Sequence, residues 1–379
     1  MRPWFMPLDL LLPLAALLFL LPLNPLLSSL PASAWVMAQL VLAPQERRWA
    51  LWPLALVLLL MARTWWLNEM PHPASAQDGL LLVASLLAAT GVAQRRWPWL
   101  LRLPLLALPW LIPQLGPKPW IPNPLAGPNQ GGYLLGLLLL LAVGWLWQRS
   151  QPWWGRLLAG GAAALALLMV WQTGSRAALI SSLGALALVL LRERAAKGQL
   201  WRDLLGLLGL AAGAVALKQL LRPSSTGLPG LHLSSDLGRL EIGQCYIQLP
   251  FSGSNRLLYG VGFERPKDFC HQQIHGGVAD HAHNLYLQLW ADSGLLGLLG
   301  LGLLLALLLI SWKRAEPLLD PLARRVGQAA LVYTLLQGCF DLSLLHWPVT
   351  QVFTGVLLAI PLAVLPPAAV PSGQQPDRR

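Results

Sequence analysis

The segment Ala282-His283-Asn284-Leu285-Tyr286-Leu287-Gln288 runs straight into the apolar stretch Leu295–Ile310. It sets an imidazole at the mouth of an apolar helix. Histidine titrates near neutrality, so at a membrane–water boundary it is placed to move a proton on a substrate held in lipid. Two arginines have the chemistry to go with it. In Thr173-Gly174-Ser175-Arg176-Ala177-Ala178-Leu179, Ser175 has the character of a helix N-cap and Arg176 falls in the first turn behind it. Backbone N–H groups, helix dipole and guanidinium fork together make a seat for phosphate; the plainer role for Arg176 is to snorkel to lipid headgroups. Arg239 lies in Leu237-Gly238-Arg239-Leu240-Glu241-Ile242-Gly243, which reads as an amphipathic helix on the membrane surface, interrupted at Gly243.

Downstream, Leu258-Tyr259-Gly260-Val261-Gly262-Phe263 is a glycine-rich turn flanked by Arg256, Arg265 and Lys267. It lacks the Gly-Lys-Ser/Thr of a phosphate loop, but its basic surroundings suit an anionic substrate. Solvated surface charge is the simpler role for Arg256 and Lys267. Histidines follow at 271, 275, 281 and 283. His271 and His275 have the i,i+4 spacing of a metal pair, yet no Glu lies between them and no Asp or Cys completes a ligand set, so the reading is no metal and no cofactor. Nor does the chain contain the Asp-x-Asp motif of metal-dependent nucleotide-sugar transferases. Asp341 ends a later apolar span, where it either orients His283 or an arginine, or caps its helix. Asp292 lies inside a span and requires a partner there. Asn284 borders the site. Cys245 and Cys270 share the polar segment, and an oxidising compartment permits a disulfide between them, although sequence does not decide it.

These residues need elements to carry them, and composition says which. The chain of 379 residues is 55% hydrophobic and 11% charged, with a mean hydropathy of +0.55. That is an all-α polytopic membrane protein. Apolar runs at 8–23, 34–43, 49–62, 79–94, 97–113, 131–147, 156–172, 175–192, 203–218, 283–310, 325–341 and 344–365 predict about twelve spans. Residues 1–130 form the irregular, proline-rich first part and 131–218 the next four helices. Residues 219–282 form one large external loop, 283–365 the last three helices and 366–379 a tail. The N-terminal apolar run continues past Asn24-Pro25 without a signal-peptide cleavage pattern.

Alternate loops carry Arg47-Arg48, Arg95-Arg96, Arg149 with Arg156, Arg192-Arg194-Lys197-Arg202, and Lys313-Arg314 with Arg324-Arg325, against Arg63, Lys118 and Arg176 opposite. The bias predicts both termini in the cytoplasm and loop 219–282 outside. The net charge of +11 is then topology signal, with no soluble basic face for nucleic acid. Trp49, Trp52, Trp65, Trp66, Trp97, Trp99, Trp145, Trp147, Trp153, Trp154 and Trp312 sit near span ends, as an interfacial belt does.

In order, Gly-Ser-Arg-Ala-Ala-Leu (174–179), Gly-Arg-Leu-Glu-Ile (238–242), Tyr-Gly-Val-Gly-Phe (259–263) and His-Asn-Leu-Tyr-Leu-Gln-Leu-Trp-Ala-Asp-Ser-Gly-Leu-Leu-Gly (283–297) resemble the O-antigen ligase and polymerase superfamily over about residues 130–365. The resemblance implies a multispan inner-membrane glycosyltransferase with a large periplasmic loop. Such an enzyme takes a glycan from an undecaprenyl-pyrophosphate-type carrier and gives it to lipid A-core or to a growing glycan. It implies Arg176 and Arg239 as pyrophosphate binders and His283 as catalytic base; the supporting candidates, from the residues themselves, are Ser175, Arg265, Asn284 and Asp341. Gly243 departs from the family, which commonly carries an aromatic residue there. Ligase is the first expectation, polymerase the second. A transporter, a bicarbonate-type label having been given to some relatives, is the third; of its midplane ionisable residues only Asp292 is a candidate.

Overall fold

The computed structural model describes residues 10–20, 25–42, 52–66, 79–114, 128–148, 150–195, 233–271 and 281–364. Among them every regular element is helical. The helices are α1 (Leu11–Leu20), α2 (Pro25–Leu42), α3 (Trp52–Trp66), α4 (Leu80–Ala89), α5 (Trp97–Arg102), α6 (Pro128–Leu146), α7 (Trp153–Gln172), α8 (Arg176–Ala195), α9 (Leu233–Gln248), α10 (Ser254–Tyr259), α11 (Pro266–His271), α12 (Leu285–Ala315), α13 (Pro321–Gly338), α14 (Ser343–His346), α15 (Pro348–Leu358) and α16 (Ile360–Val364). Asn129–Leu146, Trp153–Gln172 and Leu285–Leu318 are long and apolar enough to cross a membrane. Ser29–Val41, Leu80–Ala89 and Pro348–Leu358 are shorter apolar helices. The expected span at 203–218, the first part of the external loop and the tail lie outside the described residues.

Prolines explain where long apolar runs fail to become long helices. The run at 97–113 is a six-residue helix followed by a 3-10 stretch, Leu103–Gln114, that includes Pro104, Pro109 and Pro113. The run at 344–365 breaks into α14, α15 and α16, with Pro348 opening α15 and Pro361 in α16. By contrast, α2 continues through Pro31.

The core packs side chains into glycine hollows. Antiparallel α6 and α13 meet with Tyr333 over Gly136 and Val326 over Gly144. Tyr333 Oη donates to the carbonyl of Tyr133 (3.1 Å), and Tyr133 Oη bonds Thr354 (3.0 Å), so buried hydroxyls are satisfied away from water. Trp312 fills the hollow at Gly327, where a Cβ would lie 2.7 Å from its ring. Trp97 and Trp312 are therefore core residues, which corrects their placing in an interfacial belt, whereas Trp99, Trp153 and Trp154 are exposed.

The 31-residue α12 is broken at Gly294, whose φ is +61°. A break frees carbonyls in an apolar setting, and each needs a donor. The glycine-rich turn provides them: Val261 N–H donates to Ala291 O and Gly262 N–H to Asp292 O, both at 2.9 Å. Backbone meets backbone there, and a Cβ on Gly294 would fall 2.6 Å from Gly260 N. The turn is thus a structural plug for a kinked helix. The same region is tied by a disulfide between Cys245 and Cys270, Cα atoms 5.9 Å apart.

Candidate active site

Three helix ends converge on the polar cluster, and their sequences say why they end there. Asn284 caps α12: its Oδ1 accepts from Tyr286 N (2.9 Å) and Leu287 N (3.0 Å), while its Nδ2 donates to Cys339 O (3.0 Å) beyond the end of α13. His283 therefore precedes the helix instead of occupying its first turn, and its backbone is left-handed, with φ +51°. A left-handed non-glycine residue is strained, and such strain persists only where neighbours hold it. Two clamps do so here. Asn284 holds one side. On the other, Ala282 N–H donates to Gln288 Oε1 (3.0 Å), and Gln288 Nε2 donates to both carboxylate oxygens of Asp292 (2.9 and 3.1 Å). Asp292 is buried and paired, as a carboxylate inside an apolar helix must be.

Asp341, beyond the end of α13, faces both histidines. His283 Nδ1 lies 3.8 Å and His281 Nε2 3.9 Å from its Oδ1, and the two rings are 4.1 Å apart. The Ser343 hydroxyl donates to Asp341 Oδ2. The carboxylate side chain is 2% exposed and the His283 ring 25%. Burial pushes the Asp341 carboxyl up, but His283, Ser343, the Leu342 backbone N–H and the His281 charge more than offset it. Its pKa ends below the usual carboxylate range, so it stays ionised beside the imidazoles.

Arg176 opens α8. Ser175 Oγ accepts from Ala178 N (3.3 Å), the expected cap, and Thr173 Oγ1 accepts from Ser175 N (3.1 Å). Antiparallel α8 and α13 touch at Glu193–Arg325 and at Gly184–Leu336, a register that puts the start of α8 at the same end of the bundle as the Gly338 end of α13. Arg239 is exposed on α9, and α9 runs unbroken through Gly243, which corrects the expected interruption. Gly243 lies against Leu287, its absent Cβ 3.6 Å from Leu287 Cδ1, and Trp290 Nε1 donates to Ile247 O (3.0 Å). The two contacts run in parallel register, so Arg239 lies toward the Asn284 end of α12.

The Arg265 guanidinium carbon lies 5.9 Å from the centre of the Phe269 ring. Arg256 also lies over that ring, at 5.0 Å, and Lys267 pairs with Glu264 at 3.2 Å. His275 lies outside the described residues. The sequence reading missed His281, Gln288 and Ser343, although His281-x-His283 was a visible signal. Ligand atoms of His281, His283 and Asp341 lie within 4.8 Å of one another, a set able to hold a metal ion.

The opposite end of the bundle is different. Arg192 pairs with Glu316 (2.7 Å), Arg324 and Arg325 reach Glu193, and Arg102 donates to Gln148. The long apolar helices are those of an integral membrane protein, with the His281–His283–Asp341 cluster at one end and arginine–glutamate pairs at the other. Residues 161–302 match the O-antigen ligase family, and the chain carries a domain of that superfamily. No curated protein matches the chain. The family bears on glycosyltransferase-type ligase or polymerase chemistry on lipid-linked glycans.

Proposed function

We propose that the protein is an O-antigen ligase-like, inverting glycosyltransferase of the bacterial inner membrane. It moves a glycan from an undecaprenyl-pyrophosphate-type carrier to lipid A-core or another glycan acceptor on the periplasmic face. The observation that carries this reading is His283 against buried Asp341; Arg176 and Arg239 are proposed as the diphosphate's partners. With Nδ1 toward Asp341, Nε2 takes the proton of an acceptor hydroxyl. The freed oxygen attacks the sugar C1 from behind, the C1–O bond to the diphosphate breaks, and the electron pair leaves with the diphosphate. Arg176 and Arg239 meet that charge as planar donors, and Asp341 balances the imidazolium. Neither ATP nor metal enters this scheme. The arginine-rich opposite end supports a cytoplasmic side there; with both termini on that side, 219–282 is proposed as a periplasmic loop and the span count stays the about twelve of the sequence reading. Polymerisation, one glycan passed to another, uses the same groups. Transport fits less well, because Asp292 is engaged by Gln288 near one end of the bundle.

The test uses reconstituted protein, carrier-linked glycan and acceptor. His283→Ala should still bind the donor and lose transfer by about 10²–10⁴-fold, the worth of a positioned general base. Near-normal turnover refutes the assignment; inactivation of the native protein by chelators points instead to a metal held by His281, His283 and Asp341.

A further inference from the structure

The cluster beside α12 and α13 has the donors of a cation site, a capacity the proposed reaction does not use. Nδ1 of His283 and Nε2 of His281 face one oxygen of Asp341 at 3.8 and 3.9 Å, and the three ligand atoms lie within 4.8 Å of one another. Ligands at about 2.0–2.2 Å from a tetrahedral Zn²⁺ stand ~3.3 Å apart, so each carboxylate pair is about half an ångström wider than a loaded site. Small side-chain rotations close that difference. His283 Nδ1 is buried and has no hydrogen-bond partner among the described residues, since 3.8 Å is past hydrogen-bond reach. An ion between the ring and the carboxylate spans the gap that a hydrogen bond does not. The ligands are also held in advance: Ala282, between the two histidines, is tied to Gln288 (3.0 Å), and Ser343 donates to the other oxygen of Asp341. Preorganised ligands lose little freedom on binding. Asp341 is 2% exposed and the histidines 21% and 25%, so a buried anion forms the floor and the imidazole side is open to solvent. Two imidazoles and one carboxylate suit Zn²⁺ and do not suit Mg²⁺, which takes oxygen ligands.

We propose that His281, His283 and Asp341 form a reversible Zn²⁺ site, and that loading it switches transfer off. The inhibition rests on the proposed function; the binding does not. In that scheme His283 keeps its proton on Nδ1, toward Asp341, and offers the Nε2 lone pair to the acceptor hydroxyl. Zn²⁺ takes the Nδ1 lone pair instead. Water leaves the shell of the ion as Nδ1, His281 Nε2 and the carboxylate oxygen bind it. The His283 ring proton passes through water to Nε2, so no proton is lost from the ring overall. The atom that served as base is then a donor. The carboxylate that balanced the imidazolium is committed to the ion as well. One cation thus disables the proton transfer without contact with the donor diphosphate.

The experiment uses full-length protein without a histidine tag, stripped with EDTA in nanodiscs and titrated with Zn²⁺ by calorimetry. Wild type should bind one Zn²⁺ at this cluster, and excess Mg²⁺ should not displace it. His281→Ala and Asp341→Asn should each weaken that binding at least about tenfold, the loss that removing even an outer partner of a metal ligand causes. The His271→Ala/His275→Ala double variant, which lacks the i,i+4 pair, should bind as wild type does. In the transfer assay, Zn²⁺ should inhibit over the concentrations at which it binds, and EDTA should restore the rate. His281→Ala, measured against its own zinc-free rate, should need at least about tenfold more Zn²⁺ for the same inhibition. Zn²⁺ binding that disappears with His271 and His275, binding indifferent to His281 and Asp341, or acceleration of transfer by Zn²⁺ overturns the inference. Binding that follows His281 and Asp341 in a protein that transfers no glycan sustains the site and counts against the proposed function. Normal transfer in a protein that binds no Zn²⁺ sinks the site alone.

Discussion

Replacing Gln288 by Ala removes one of the two clamps on His283 without touching any group placed near the substrate. The change deletes the acceptor for the buried Ala282 N–H and the donor to both oxygens of Asp292. A buried donor left unsatisfied costs ~1–3 kcal/mol, and holding a residue in a sparsely populated backbone region costs ~1–3 kcal/mol. With the Ala282 tie gone, His283 relaxes from its φ of +51° unless Asn284 alone can hold it. A bias of ~1.4–2.8 kcal/mol toward relaxed conformers lowers the competent fraction by about 10–100-fold. Single-turnover transfer in reconstituted membranes should show that loss in kcat, with KM for the donor within about twofold, because the arginines stay in place. Gln288→Glu keeps an acceptor for Ala282 but sets two carboxylates together, so it should not rescue. A second signature separates positioning from general destabilisation. Adding Gln288→Ala to His283→Ala should cost almost nothing further in rate, since a positioning residue has nothing left to position. Turnover of Gln288→Ala within twofold of wild type, or a full additional loss in the double variant, refutes the reasoning.

Arg176→Lys and Arg239→Lys should each lose most transfer in the same assay, because an ammonium lacks the planar fork that spans two phosphate oxygens; full activity in both shows that neither fork holds the diphosphate. Asp341→Asn should change the acid dependence of stability. A carboxyl held below its ordinary range when folded contributes stability present above the unfolded carboxylate pKa and lost as pH falls through the folded one. Thermal unfolding scans below about pH 4 should therefore show less acid sensitivity in the variant than in wild type, and identical acid profiles count against the ionised, buried carboxylate.

Local signals in the chain survived into the structure; long-range pairings did not announce themselves. Ser175 caps α8 as its type and position suggest, and His283 meets Asp341, one of the two roles open to that carboxylate. The all-helical class follows from composition alone. Other features depended on what packs against what. Gly243 reads as a helix breaker by propensity, yet α9 continues through it, because a single glycine costs a helix only about 1 kcal/mol and the packing against α12 on both sides of it holds the helix. The Gly260–Gly262 turn has no catalytic fingerprint and no obvious partner in sequence. Its partner is the break at Gly294, two freed carbonyls some thirty residues downstream. Trp97 and Trp312 stand at span ends like belt residues, but both are buried, and the Gly327 hollow that takes Trp312 lies on another helix, where a single sequence does not show it. His271 and His275 have the ligand-like spacing, while the donor set that does assemble mixes one loop, His281 and His283, with the distant Asp341.

That donor set also constrains how the site handles charge. Two imidazoles share one carboxylate, at 3.8 and 3.9 Å, and their rings are 4.1 Å apart. Two positive charges at about 4 Å repel by ~1 kcal/mol in water and ~4 kcal/mol at an effective dielectric near 20, and Asp341 neutralises only one of them. The proposed reaction needs His283 neutral before the acceptor hydroxyl arrives and charged once its proton is taken. During the transfer His281 must then be neutral, since a second charge would oppose the proton movement that Asp341 assists; the charged His281 that helps hold the Asp341 carboxyl down belongs to more acid conditions. A cluster with one carboxylate and two imidazoles thus accommodates one proton in excess of the neutral rings. In the proposed scheme that proton is the one taken from the acceptor.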